Sequence, residues 1–431
     1  MEKTYSPISP DQSTGRGRIR RWFSGIPVLG WIFGALVAVV LEYYLGDALS
    51  EVLGLEKVPA LFGVTLILKK PLLLPKCLMF VGLIYVIPIS VVAKYLSPLT
   101  NRIAGKLIQY PYGVSAVLHL ALLYAVFYIW SDVSAYRLLT LKLSLIAVMI
   151  TLSLNVVNGY MGEFSCSHPG FLALGAYGAS VITVLFFVKD KLFGAPLLPP
   201  AIGPYLYPVA LVLGGLLASV GALVIAVPSF RTRGDYLAII SLAFMFIVKS
   251  LIENLEIVGG PRGLSSQPGW SSLLTVFIWT VLCVWIINNF VRSTLGKAAN
   301  AVRDDESAAD AMTVNTRRTK VVTFMFAAFW AGVAGGLYAH VIRYANPGDF
   351  GIQKLADVLA MVYLGGLNSV VGSIVGAVGM SILGEALRPL GIYKWIIIPL
   401  LLILVMIFRP TGLIAFREFD VREILKPKRR M

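Results

Sequence analysis

The sequence predicts an all-α protein, a polytopic bundle of membrane-spanning helices, and three observations support this fold class. Hydrophobic residues make up 58% of the 431 residues, charged residues only 14%, and the mean hydropathy is +0.81. A soluble domain averages about 45–50% apolar and about 25% charged residues. The apolar residues also occur in runs of a length that can cross a bilayer, which takes about 20 residues. These values exclude disordered, coiled-coil and collagen-like chains.

Eleven apolar runs with little or no charge are the candidate spans. They lie near residues 26–41, 78–92, 114–130, 143–161, 169–188, 208–227, 236–248, 270–290, 321–342, 358–387 and 395–408. The stretch 58–68 is too short to cross alone and runs into two lysines, which predicts an interfacial or re-entrant segment. Cys77, Cys166 and Cys283 are far apart in apolar surroundings, which predicts packing residues and neither a disulfide framework nor a metal site.

The chain is basic, with 37 Lys and Arg against 22 Asp and Glu and a formal charge of +15. The cations gather in short loops and tails, so the positive-inside rule explains them without a nucleic-acid partner. Placing every basic loop in the cytoplasm agrees with alternating crossings and predicts that both termini are cytoplasmic. The first apolar run is long and lacks a small-residue cleavage site after it, which predicts an uncleaved anchor. The basic clusters are 16–21, 94–106, 231–233, 292–320 and 409–431.

Two interruptions break the helical pattern. Between Lys320 and Arg409, both predicted to be cytoplasmic, the chain must cross the membrane an even number of times. Because the runs 321–342 and 395–408 account for two crossings, the run 358–387 must cross twice or enter and return on the same side. Gly365, Gly366 and Asn368 lie where that break is expected. A second Gly-rich interruption covers residues 159–170. Broken helices in both halves of a chain are typical of transporters with inverted repeats, so such a repeat is a possible feature of this fold.

Ionisable residues at membrane depth are candidates for a functional role. Glu163 and His168 flank the first interruption, and Asp357 opens the second. The alternative is that these side chains lie at the water interface, where their polarity costs little. The predicted substrate pathway therefore consists of Glu163, His168, Gly365, Gly366 and Asn368.

The sequence contains no catalytic constellation and predicts no enzyme, metal or cofactor. The three histidines are far apart, and none is paired with a carboxylate at ligand spacing. The G-x-x-x-x-G-K-[ST] phosphate loop is absent, so in an ATP-driven system another subunit must bind ATP. The pairs Gly332/Gly336 and Gly372/Gly376 predict close helix packing, with a lining of the substrate path as the alternative.

The loop 292–320 is the most unusual hydrophilic segment. Asp304 is the predicted N-cap of a short helix, with Asp305 and Glu306 in a first turn that favours acids. Ala308, Ala309 and Met312 then form a predicted apolar stripe. Such a helix suits the groove of a partner protein, and a merely solvated linker is the alternative.

Four stretches of the sequence resemble a known family. They are residues 154–159 with 175–177, residues 231–239 with 259–264, residues 295–320 with 331–339, and residues 364–369 with 408–413. On these motifs the chain resembles the LivM family, the permease subunits of branched-chain amino acid ABC importers. The likeness covers residues 143–413, the predicted permease core. Residues 1–21 and 414–431 are then basic cytoplasmic segments, and residues 22–142 a variable membrane extension.

The resemblance implies a multi-pass protein of the bacterial inner membrane that translocates branched-chain or hydrophobic amino acids. It implies a second, LivH-like permease, two ABC ATPase subunits that bind the ATP, and an external solute-binding protein. We expect the second permease to bind small-residue faces such as Gly332/Gly336. Related permeases leave urea or short amides as alternative substrates, and the broken helices alone suggest a stand-alone secondary transporter as a rival.

The resemblance also implies that the segment 306–312 is the coupling helix that contacts an ATPase. Thr313 stands where this family usually has Gly, and Asn315 can still adopt a left-handed conformation for the turn. The predicted coupling residues are Arg303, Asp304, Asp305, Glu306, Ala308, Ala309, Met312 and Asn315.

Overall fold

The structure is a computed structural model, and it describes residues 23, 25–55, 57–63, 70–107, 109–190, 194–230, 236–409, 411–414, 419–420 and 425–428. Its contacts divide the chain into two units. The first holds the described residues up to Val133 together with residues 420 and 425–428, and the second holds residues 134–419. The predicted functional boundary between residues 142 and 143 stays a prediction.

The first unit is built around α1, which packs against α3 and α5. The packing is close because a Cβ on Gly34 would lie 2.8 Å from the carbonyl oxygen of Ile89. The region 94–106, predicted as a loop, is mostly the helix α4. In the predicted interfacial stretch 58–68, residues 60–63 form a short 3-10 turn. Residues 64–68 lie outside the described residues. The helices are α1 (Val28–Val52), α2 (Leu74–Val81), a π-helical turn (Gly82–Val86), α3 (Ile87–Tyr95), α4 (Ser97–Leu107) and α5 (Tyr112–Asp132), with 3-10 turns at Ala60–Gly63 and Pro71–Leu73.

The second unit contains eleven helices in its described residues and a two-stranded antiparallel ribbon. Its helices are α6 (Ala135–Asn155), α7 (His168–Phe187), α8 (Gly203–Ser229), α9 (Tyr236–Asn254), α10 (Leu273–Arg292), α11 (Thr294–Asp304), α12 (Glu306–Ala311), α13 (Thr316–Ile342), α14 (Ile352–Gly365), α15 (Val370–Ala386) and α16 (Lys394–Phe408). A π-helical turn (Val156–Met161) and 3-10 turns at Pro200–Ile202, Glu256–Val258, Gly260–Arg262, Pro347–Phe350 and Arg388–Tyr393 connect them. The strands are β1 (Leu264–Ser265) and β2 (Tyr344–Ala345).

Ten helical segments of the described chain are long and apolar enough to cross a membrane, which confirms the predicted polytopic bundle. The run 358–387 falls within two separate helices, α14 and α15. These are antiparallel, because Gly365 packs on Gly372 and Met361 packs on Gly376. The predicted break of this run is therefore confirmed, whereas an inverted repeat stays a prediction.

Helices α7, α8 and α13 form the most closely packed part of the second unit. A Cβ on Gly175 would lie 2.0 Å from the carbonyl oxygen of Gly332, and a Cβ on Gly332 would lie 2.6 Å from Ala218 Cβ. Gly336 is likewise buried against Leu211. The prediction that Gly332/Gly336 bind a second permease is wrong, because this face is already occupied inside the chain. Its internal packing role is the one that the structure shows.

Candidate coupling site at two helix interruptions

The first interruption follows α6. Its last residue, Asn155, leads into the π-helical turn 156–161, and π-turns are frequent at functional positions. The helix ends at Gly162, whose φ of +78° is accessible to glycine with little strain. Non-helical backbone then continues to α7, where Pro169 occupies the first turn. Ser167 has the N-cap position of α7, but its hydroxyl pairs with Ser165 Oγ at 2.8 Å and does not cap the helix.

The second interruption separates α14 from α15. Gly366 has a φ of +123°, Asn368 has a φ of +54°, and Ser369 caps α15 by accepting a hydrogen bond from Gly372 N at 3.0 Å. The chain after α16 returns to this break, where Leu413 N donates to Leu364 O at 3.0 Å. Hydrogen bonds at the start of α15 and from the chain after α16 therefore hold this break in place.

Asn155 joins the two interruptions. Its side chain is fully buried, and its Nδ2 donates to Ser373 Oγ at 2.6 Å, to Ser369 O at 3.1 Å and to Gly366 O at 3.3 Å. Its Oδ1 accepts from Asn368 N at 3.1 Å. A buried amide with this many partners fixes the relative position of the two segments, because moving one of them leaves polar groups unpaired.

The loop 292–320 contains two short helices, α11 and α12. The N-cap of α12 is Asp305, which accepts from Ser307 N at 2.9 Å and Ala308 N at 3.0 Å, so the prediction of Asp304 is wrong by one residue. Asp304 instead ends α11.

The turn after α12 also differs from the prediction. Thr313 itself adopts the left-handed conformation, with φ +66°. Asn315 has a φ of −72° and caps α13 by accepting from Arg318 N at 2.9 Å. The left-handed residue of this turn is therefore Thr313 and not Asn315. The structure gives Asn315 the capping role because its side-chain oxygen satisfies the first turn of α13.

The loop is attached to the first interruption by two contacts. Arg303 Nη1 donates to Gly159 O at 3.1 Å, and a Cβ on Gly162 would lie 2.3 Å from Arg303 Cγ. Lys320 Nζ lies 2.7 Å from Glu163 Oε1 and 2.8 Å from Glu306 Oε2. Lys320 thus joins the interruption, α12 and the start of α13.

The predicted apolar stripe of α12 is divided between two faces, so it is wrong as a single stripe. Ala309 is 5% exposed and lies against the rest of the chain, whereas Met312 is 76% exposed. Ala308 is exposed as well. Ala308 and Met312, which are four residues apart, are thus exposed together, whereas Ala309 between them faces the chain. Met312 is the apolar side chain that a partner could contact.

The structure separates the predicted pathway residues. Gly365, Gly366 and Asn368 lie together at the second interruption beside Asn155. Glu163 lies with the loop 292–320, the predicted coupling loop. His168 is fully buried, and its ring nitrogens have no hydrogen-bond partner among the described residues. In that same part of the chain, no three His, Cys, Asp or Glu side chains gather as a metal site.

Sequence reasoning missed the role of Asn155. The available signal was a lone amide at the end of a long apolar run, directly before a Gly-rich interruption. Lys354 was also missed, although it lies three residues before Asp357 in an otherwise apolar helix and thus on the same face.

Comparison with known proteins places this geometry in a family. Residues 136–408 match the family described as branched-chain amino acid transport system / permease component. The chain is 31% identical over 307 residues to the LivM permease protein of the Escherichia coli (strain K12) high-affinity branched-chain amino acid transport system, covering 63% of this chain and 68% of that protein. It is 25% identical over 288 residues to the LivH permease protein of Salmonella typhimurium, covering 63% of this chain and 92% of that protein. No solved structure matches the chain.

The BraD permease protein of Pseudomonas aeruginosa is 30% identical over 158 residues, which are 34% of this chain and 48% of that protein. The family match covers the helices on both sides of each interruption and the loop between α10 and α13. This chain belongs to the family of branched-chain amino acid transport system permease components.

Proposed function

We propose that this chain is a LivM-type permease subunit of an ABC importer for branched-chain amino acids in the bacterial inner membrane. A LivH-type permease, two ATPase subunits and an external solute-binding protein complete the importer. Both termini and the loop 292–320 face the cytoplasm, as the basic clusters indicate. The permease core, residues 143–413, carries the amino acid, and residues 22–142 form an additional membrane segment.

The observation that carries this proposal is the contact between the loop and the interruptions. Arg303 binds the backbone of Gly159, Lys320 pairs with Glu163, and Asn155 connects this segment to Gly366. A force applied to α12 by a partner therefore reaches both helix breaks through direct contacts. Discontinuous helices form the substrate sites of many transporters. A partner that acts on α12 would therefore act on the substrate path, which supports an ATPase-driven permease.

Met312 is the side chain through which we expect α12 to bind an ATPase subunit. Its exposed apolar surface suits a groove, and a charge placed there would be desolvated without a partner, which costs several kcal/mol. Met312→Glu should abolish copurification of the ATPase subunits and ATP-driven uptake of leucine. Ala309 is not suitable for this test, because it is buried within the chain itself.

Ile257→Glu is the matched control. Ile257 is 70% exposed and lies in the 3-10 turn before β1. β1 pairs with β2 after the end of α13, whereas α12 precedes the start of α13. Ile257→Glu should leave copurification of the ATPase subunits unchanged. If Met312→Glu retains bound ATPase and full uptake, α12 is not the coupling element. Uptake by the parent chain that survives ATP depletion would instead support a secondary transporter, and uptake of urea without leucine would support the amide substrate.

A further inference from the structure

The second unit contains a cavity of about 240 Å³ between α6, α13, α14, α15 and α16. Met361 of α14 lines it, one helical turn before Gly365. The residues of α6 that line the cavity lie between Thr140 and Ile150, and so they all precede Asn155. The cavity therefore lies next to the second interruption, on the side away from the coupling loop.

Two side chains of opposite charge, Lys354 and Asp357, line this cavity. They are three residues apart on α14 and so share one face of the helix. Lys354 Nζ lies 4.8 Å from the centroid of the Tyr338 ring. The positive charges of Lys354 and Lys394 both act on the Asp357 carboxylate. Within the described part of the chain, neither side chain makes a hydrogen bond or an ion pair. Charges inside a helical membrane bundle are costly and mark ligand paths.

Three further polar side chains of the cavity wall are already engaged. Glu385 accepts hydrogen bonds from the Tyr136 hydroxyl at 2.5 Å and from Arg388 Nη1 at 3.3 Å. The hydroxyls of Ser144 and Ser381 donate to carbonyl oxygens of their own helices. Lys394 also lines the cavity, with its Nζ 4.5 Å from the centroid of the Trp395 ring. The charges that remain able to bind a ligand are therefore the Asp357 carboxylate and the ammonium groups of Lys354 and Lys394.

Most of the remaining wall is apolar. Ile146, Ile150, Met361, Met380 and Ile398 line the cavity beside the two charges. A cavity of about 150 Å³ is known to hold benzene, so this larger volume suits a molecule with a few more heavy atoms. An α-amino acid with an aliphatic side chain has that size, and it carries an ammonium and a carboxylate on one carbon.

We propose that Lys354 and Asp357 form a membrane subsite for a zwitterionic aliphatic amino acid, with Lys354 binding its carboxylate and Asp357 its ammonium. This inference rests on the proposed function, because it locates the transported molecule within the permease. Urea and short amides offer no charges to this pair, so they would leave both groups unpaired and be disfavoured. Since Met361 lies one turn from Gly365, a movement of the second interruption would change the cavity wall.

Ser381 provides a direct test of binding, because it lines the cavity and is not one of the two charges. In the purified importer, Ser381→Cys is labelled with a maleimide, and the parent chain is the background control because its cysteines are buried. L-leucine should slow the labelling by about fivefold or more at saturation. L-leucinamide and 4-methylpentanoate each lack one charge and should give no protection. Equal labelling with and without L-leucine, in an importer that carries leucine, would overturn the subsite.

Variants of the two charges test the role in transport. Lys354→Met and Asp357→Asn should each lower ATP-driven leucine uptake by about tenfold or more, with ATPase copurification unchanged. Lys142→Met, which removes a half-buried cation of α6 that does not line the cavity, should leave uptake unchanged. Full uptake by both charge variants would overturn the subsite and leave the proposed function intact. If the parent importer carries no leucine, the proposed function fails, and the labelling of Ser381→Cys still decides whether the subsite binds a zwitterion.

Discussion

Arg303 donates a hydrogen bond from Nη1 to the carbonyl oxygen of Gly159 across 3.1 Å. The two residues are 144 positions apart in the chain, one in a short hydrophilic helix and the other in the π-helical turn that ends α6. A charged donor to a backbone carbonyl is among the stronger hydrogen bonds in proteins. The contact therefore attaches the coupling loop to a point where the membrane helix is already broken.

Gly162→Ala should impair this attachment. A left-handed φ costs a residue with a Cβ about 1–2 kcal/mol, and the added methyl would meet Arg303 Cγ at 2.3 Å. We expect uptake to fall about five- to tenfold, as follows from a cost near 1.4 kcal/mol. Gly379→Ala is the control, because a Cβ there meets no atom within 4 Å. Equal uptake by the two variants would contradict the close contact.

Glu163→Gln and Glu306→Gln should differ, although both remove a carboxylate from Lys320. The side chain of Glu163 is 24% exposed, whereas that of Glu306 is 53% exposed. Exposed pairs contribute about 0–1 kcal/mol and hydrogen bonds to charged groups in protected sites about 1.5–3 kcal/mol. Uptake should therefore fall more with Glu163→Gln, as measured in proteoliposomes at equal protein content. The reverse order would show that Lys320 acts mainly through α12.

Asn155→Ala should destabilise the pairing of the two interruptions. The substitution leaves the Gly366 carbonyl without its donor and the Asn368 N–H without its acceptor, at a cost of about 1–3 kcal/mol each. The thermal unfolding midpoint of the purified complex should fall by several degrees. Asn254→Ala removes an exposed amide that bonds only to its own helix, and it should leave the midpoint unchanged. An unchanged midpoint for Asn155→Ala would mean that the contacts of Asn155 do not hold the breaks.

Gly332→Leu should prevent folding of the second unit. A Cβ at this position would already lie 2.6 Å from Ala218 Cβ and 2.9 Å from Gly215 Cα, and overpacked cores lose about 1–3 kcal/mol or more. Extraction in mild detergent followed by size-exclusion chromatography should show aggregated Gly332→Leu and monodisperse Gly379→Leu. A folded Gly332→Leu chain that lacks only its permease partner would instead restore this face as an interface.

Gln353 and Arg388 should be accessible from the same side of the membrane, because α14 and α15 form an antiparallel pair between them. Single cysteines at the two positions, both exposed, should react with an impermeant maleimide added outside cells. Met312→Cys, on the coupling loop, should react only after the cells are opened. Labelling of Gln353→Cys and Arg388→Cys from opposite sides would contradict the hairpin.

The sequence was sufficient to predict the spans and the break between α14 and α15. Hydropathy measures the transfer of each segment into lipid, which is a local property. The break was predictable because placing Lys320 and Arg409 on the same side of the membrane requires an even number of crossings between them. The short helix α12 was predictable from its acidic cap, although the cap is Asp305 and not Asp304, a shift of one residue within adjacent acids.

Features that depend on tertiary contact were not predictable in this way. The partners of Asn155 are more than 200 residues away, and no local pattern specifies them. The Gly332/Gly336 face was assigned to a partner because small residues look the same whether their neighbour is in the same chain or another. Thr313 takes the left-handed turn despite its Cβ, because it follows the C-cap of α12 at the position where Val314 N donates to Ala309 O and closes the helix end.

Arg303 is the residue that tests most directly whether α11 and α12 transmit ATPase closure to the helix interruptions. The measurement is the amount of leucine imported per ATP hydrolysed by the reconstituted importer carrying Arg303→Ala. Because Arg303 contacts Gly159 within the chain, we predict normal ATPase copurification and hydrolysis with a ratio about tenfold lower. Full uptake with an unchanged amount of leucine per ATP would contradict transmission through this contact, because transport would then proceed without the contact between the loop and the broken helix.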